Sequence, residues 1–164
     1  MPFTPLHMGP GILIKSVLQG SFSLMLFGWA QILMDIQPLL VMISGEGELH
    51  GFSHTYIGAT GLGLLAALTG KYLAEEILKR SSAAHYSRLP IRWPTALSSA
   101  LIGSYSHVLL DSLMHYDIQP LWPFYEDNQL LSLVTISQLQ QFCLYSGLLG
   151  AALYFLVIKI GRSD

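Results

Sequence analysis

Residues 105–115 read Tyr105-Ser106-His107-Val108-Leu109-Leu110-Asp111-Ser112-Leu113-Met114-His115. The stretch is apolar enough to be a buried or membrane helix, yet it sets His107, Asp111 and His115 at successive steps of four. Residues four apart are neighbours on one helix face. Ionisable groups are costly in such a helix unless they pair with one another or bind something. Imidazole and carboxylate at this spacing are ligands for zinc or a similar divalent metal. The rest of the chain is expected to bring further His and Asp side chains to this face.

The composition around this stretch is that of a membrane protein. Of 164 residues, 52% are hydrophobic and only 11% are charged, against about 25% charged in a soluble domain. Mean hydropathy is +0.50, and one integral membrane domain over residues 1–164 is the simplest organisation. The formal net charge of −2 gives no basic surface for nucleic acid. A single cysteine, Cys143, excludes an intramolecular disulfide and a multi-cysteine metal site, so a metal would be held by His, Asp and Glu.

Toward the N-terminus, residues 1–9 are broken by proline and carry His7, with no basic segment or cleavage site of a signal peptide. Pro10 suits the first turn of a helix over 10–19. A turn at Gln19-Gly20-Ser21 precedes an apolar run, Phe22 to Ile43, that contains Asp35 and Pro38. The proline predicts that the clean helix ends near Asp35. Helices over 10–19 and 21–35 would be about 15 and 22 Å long, short of a core of roughly 30 Å. Either they form a hairpin dipping into the membrane, or the second continues past Pro38 and spans it.

Residues 44–56 form a polar loop with Glu46, Glu48, His50 and His54. A helix from Ile57 to about Leu78 follows. Its Ala59, Gly63 and Ala67, at steps of four, make a small-residue stripe for close helix approach. Arg92-Trp93-Pro94-Thr95 reads as an interfacial start for the central helix, which is expected to run to His115. Pro120, Trp122, Phe124 and Tyr125 read as an aromatic belt, residues 128–141 as an interfacial helix, and Phe142 to Ile158 as the last span. The fold class is therefore all-α, a polytopic bundle of four or five helices.

His107-x3-Asp111 is the strongest constellation, and its structural alternative is a polar cluster that only ties helices together. His115, at the helix end, is also readable as an ordinary exposed histidine. His50-x3-His54 can converge on one ion from a helix or from a turn. Asp35 at a helix C-terminus opposes the macrodipole, so a positive neighbour is expected. His7 alone carries little weight. Glu46 and Glu48 read first as solvated loop acids, though either suits a general base, and His85 has no assigned role.

Taken in order, Pro5-Leu6-His7, Asp35 with Pro38, His50-Gly-Phe-Ser-His54-Thr, Ser106-His107-x3-Asp111 and Pro120-Leu-Trp-Pro resemble the YdjM-like family. These are bacterial inner-membrane proteins described as metal-dependent hydrolases. The resemblance covers most of residues 1–125 and implies metal-ligand roles for His7, Asp35, His54, His107 and Asp111. The family pattern His-Arg-Gly-x-Thr-His has four residues between its histidines. Here three separate His50 from His54 and the arginine is missing, so the carry-over holds for His54 and not for His50. The ligand order is more weakly similar to that of zinc-dependent phospholipase C proteins.

The expected function is metal-assisted hydrolysis of an ester or phosphoester, with membrane lipids as surroundings and a lipid-like substrate. The cofactor would be zinc, one or two ions, or manganese, lowering the pKa of a bound water towards about 7. His50, Glu48 and His115 are expected proton-transfer groups. Two alternatives use the same residues: a metal-ion or proton pathway, and a scaffold with a structural metal.

Basic residues favour the cytoplasmic side. Residues 71–93 hold five of the eight, and loops 44–56 and 116–141 hold none, which puts the expected site on the extracytoplasmic side. A cysteine at Asp127 should therefore react with a membrane-impermeant maleimide in intact cells, and one at Ser82 only after lysis. The reverse pattern would overturn the orientation.

Overall fold

The computed structural model describes residues 4–81 and 89–160, so His85, Arg88 and Arg162 lie outside the described residues. The order is α1 (Thr4–Leu18), a 3-10 turn (Gln19–Ser21), α2 (Leu24–Met34) and α3 (Ile36–Ser44). A second 3-10 turn (Phe52–His54), α4 (Tyr56–Arg80), α5 (Trp93–Ser112) and α6 (Ile136–Ile160) follow. Interrupted only at Asp35, α2 and α3 form a single span, which makes an all-α bundle of five rods. Leu24–Ser44, Tyr56–Arg80 and Ile136–Ile160 are long and apolar enough to cross a membrane. With 20 residues α5 is also about 30 Å long. It lies against α4, α2 and α1, while α6 packs on α1.

Local sequence explains most boundaries. Ser23 caps α2 by accepting from Leu26 N, and Thr55 caps α4 by accepting from Gly58 N. Thr135 and Gln138 make a reciprocal capping box: Thr135 Oγ1 accepts from Gln138 N, and Gln138 Oε1 accepts from Thr135 N. Proline occupies the first turn of α5, as its sequence predicts.

Several expectations change. Helix α1 begins at Thr4 rather than Pro10, which lies inside it. His7 is therefore a buried helical residue and not part of a broken terminus. Past Asp35 the chain stays helical because Pro38 is the third residue of α3, in a first turn whose N–H groups need no intrahelical acceptor. Asp35 thus ends α2 and begins α3, and the favourable N-terminal dipole of α3 offsets the unfavourable end of α2. Residues 128–135 are irregular, and 136–141 belong to α6 rather than to a separate interfacial helix. Helix α5 ends at Ser112, though the amides of Met114 and His115 still bond to Asp111 O at 3.1 and 2.9 Å. Lys71, grouped by sequence with a basic loop, is buried in α4 and paired with Glu75, whose carboxylate also accepts from Ile91 N.

Small residues bring α2, α4 and α5 together. Ala30, Ala66, Ala67 and Ala100 form one buried cluster, and Met34, Ala59 and Val108 the next. Ala59, Gly63 and Ala67 are all buried, as the stripe predicts. A Cβ at Gly103 would lie 2.7 Å from Phe27 O, and one at Gly150 2.5 Å from Leu13 N. Lipid is as apolar as leucine, so this packing, not water exclusion, holds the helices.

Gly150→Leu should therefore force α6 off α1 and lower the thermal unfolding midpoint in detergent, with an overpacking cost of about 1–3 kcal/mol. Gly61, where an added Cβ meets nothing within 4 Å, is the control, and Gly61→Leu should leave the midpoint unchanged. Equal midpoints for both variants would contradict the α1–α6 interface.

Candidate metal centre

Four elements deliver the histidines and carboxylates to one end of the bundle. His7 comes from α1, Asp35 from the α2–α3 break, His54 from the turn before α4, and His107 and Asp111 from α5. His107 is 14 residues into α5 from Trp93, or about 21 Å along its axis. That depth sets the cluster toward the far boundary of a core of roughly 30 Å.

Asp111 is the hub. Its Oδ2 is 3.2 Å from His107 Nε2 and 3.6 Å from His54 Nε2, and its Oδ1 is 3.5 Å from His7 Nε2. Asp35 Oδ1 is 3.3 Å from His107 Nε2. His7, His54, His107 and Asp111 are all buried. Yet His7 Nδ1 and Nε2, His54 Nε2, His107 Nε2, His115 Nε2 and Asp111 Oδ1 make no hydrogen bond among the described residues. Buried polar atoms are normally satisfied, and each orphan costs about 1–3 kcal/mol. Two ligands of one tetrahedral ion, bound at about 2.0–2.2 Å, stand about 3.3–3.6 Å apart. The separations match that spacing, and the donors are nitrogen and oxygen, the set that suits zinc or a similar ion. The residues present therefore fit a divalent metal.

Outer contacts aim the rings. Gln31 Nε2 donates to Gly103 O at 3.1 Å, which fixes the amide so that Oε1 accepts from His107 Nδ1 at 2.6 Å. The proton on Nδ1 leaves the Nε2 lone pair directed at Asp111 and Asp35. Asp117 Oδ2 accepts from His50 Nδ1 at 2.8 Å and leaves His50 Nε2 available in the same way. Ser53 Oγ holds His54 Nδ1 at 2.9 Å. Partners of this kind orient metal-binding histidines. Burial pushes His54 down to about 3, so it stands as the neutral imidazole that binds metals. Partial burial opposes ionisation of Asp117, but the hydrogen bond from His50 outweighs it and holds its carboxyl below the usual range.

Of the residues read from sequence, His7, Asp35, His54, His107 and Asp111 converge, and His50 and His115 stand beside them with ring centroids 4.3 Å apart. Glu48 lies on the exposed loop, lining a cleft of about 510 Å³ with His50, Phe52, Asp117 and Trp122. Three contributors escaped the sequence reading: Gln31, Ser53 and Asp117. Gln31 left one mark, as the only polar side chain in the Leu24–Met34 run, one turn before Asp35.

The model of the YdjM inner membrane protein family matches residues 14–162. The chain belongs to the YdjM inner membrane protein family. No curated protein and no solved structure matches it. Membership makes this a membrane protein, in agreement with three apolar spans. For this YdjM-family chain, residues 14–162 take in every cluster member except His7.

Gln31→Leu removes the acceptor of His107 Nδ1 and the donor to Gly103 O. It should cost about 1–3 kcal/mol, read as a lower unfolding midpoint. An unchanged midpoint would show that Gln31 does not hold His107.

Proposed function

We propose that this protein is a membrane-embedded, metal-dependent hydrolase that cleaves an ester or phosphoester of a lipid-like substrate at the extracytoplasmic face. The observation that carries the reading is the convergence of unsatisfied buried His and Asp atoms, at ligand-to-ligand spacing, on the end of the bundle that opens to a cleft. His54, His107 and Asp111 would hold the ion, with Asp35 and His7 completing the set. Zinc, or manganese, bound there supplies an acidified water and positive charge for the attacked ester.

The chain's own residues do the rest. Gln31 and Ser53 fix the imidazoles, and Asp111 joins His7 of α1, His107 of its own helix and His54 of the turn before α4. Glu48 lines the cleft and is the acid the arrangement leaves for proton transfer. Phe52 and Trp122, exposed and in edge-to-face contact at 6.2 Å, rim the cleft with aromatic surface that suits an amphiphile at an interface. Clustering at one depth favours hydrolysis over an ion pathway, which needs ligands along the span. The opposite half's buried Lys71 and Glu75 are paired to each other.

The test is metal content and turnover of detergent-purified protein. Wild type should retain near-stoichiometric zinc or manganese and hydrolyse a lipid ester or phosphoester in mixed micelles, with turnover lost to chelator and restored by metal. His107→Ala and Asp111→Ala should each lose the metal and at least 100-fold in rate. Metal retained by both variants, or turnover indifferent to chelator, would overturn the reading.

A further inference from the structure

Beside the inner cluster lies a second group of ligand atoms. His50, Asp111 and His115 each offer one, all within 4.8 Å of one another. His50 and His115 face each other with centroids 4.3 Å apart and planes inclined by 33°. His115 Nε2 is buried and makes no hydrogen bond among the described residues. His50 Nδ1 is taken by Asp117, which turns its other nitrogen away from that carboxylate. Asp111 presents Oδ2 to His54 and His107, and its Oδ1, 3.5 Å from His7 Nε2, makes no hydrogen bond among the described residues.

We infer that His50, His115 and Asp111 form a second divalent-cation site, with Asp111 bridging it to the inner site. The inference rests on the hydrolase reading and deepens it. Two features beyond proximity support a built site. Asn128 Nδ2 donates to Ser112 O at 2.8 Å and to His115 O at 3.2 Å, and so clamps the turn that carries His115. Asp117 gives His50 the carboxylate-to-imidazole contact typical of metal ligands. His50 and Asp117 also line the 510 Å³ cleft, so the second cation would stand between the inner site and the substrate space. Two cations about 3.5–4 Å apart, sharing a carboxylate, suit a phosphoester, whose attacking and leaving oxygens both need positive charge. The substrate class is thus narrowed to a phosphoester bearing an apolar tail.

The experiment loads detergent-purified protein with manganese, removes the excess, and counts metal per chain alongside the electron paramagnetic resonance spectrum. Wild type should hold about two ions per chain and give an exchange-coupled spectrum, as expected of two close ions. His115→Ala and His50→Ala should hold about one and give a single-ion spectrum. Asp117→Asn should weaken the second ion about 10–100-fold. The wild-type spectrum keeps the inference testable if a variant does not fold. One ion in wild type, unchanged by His50→Ala and His115→Ala, would overturn the second site and leave the hydrolase reading standing. No bound ion in wild type would overturn both.

Discussion

A carboxylate sealed inside an apolar bundle is the constraint on which the rest depends. Asp111 is buried, close to three imidazoles. The penalty for taking one ion out of water is several kcal/mol even after relaxation. Hydrogen bonds normally offset such a penalty, but Asp111 Oδ1 and the facing nitrogens make none among the described residues. A divalent cation would supply what is missing, since each inward nitrogen and oxygen would then be a ligand rather than an orphan. Breaking a buried charge network by removing one partner costs about 3–5 kcal/mol, so the cluster ties α1, the α2–α3 break, α4 and α5 to one another.

The apolar architecture makes this possible. Alanines and glycines let α2, α4 and α5 approach closely enough to exclude water from the face that holds Gln31, His107 and Asp111. The α1–α6 pair closes the remaining side, with Leu6 packed beside Leu110, Leu139 and Cys143 next to His7. The same dry surroundings strengthen electrostatic interactions inside the site. The lipid-facing surface needs only to be apolar, and α6 leaves Leu148, Leu149 and Phe155 exposed there.

Much of this was legible in the chain, for definable reasons. A polar triplet at steps of four in an apolar run marks its own face, so His107 and Asp111 announced the centre, and the stripe at Ala59, Gly63 and Ala67 announced the packing. Helix boundaries near proline were harder. The penalty at Pro38 depends on where the helix starts, and only the break at Asp35 places it in a harmless first turn. His7 looked terminal because nothing local says that α1 packs on α6. Gln31 and Asp117 act on rings 76 and 67 residues away, and contacts of that range leave no periodic trace. Asn128 holds its carbonyls from an irregular segment that reads as a helix by composition.

The measurement that tests the central claim most directly is X-ray absorption at the zinc edge on purified, zinc-loaded protein. A first shell of nitrogen and oxygen at about 2.0–2.1 Å, with imidazole scattering from more than one histidine and no sulfur, is the predicted result. A shell containing sulfur near about 2.3 Å, or one without imidazole, would contradict the assignment of the buried His and Asp atoms as a metal centre.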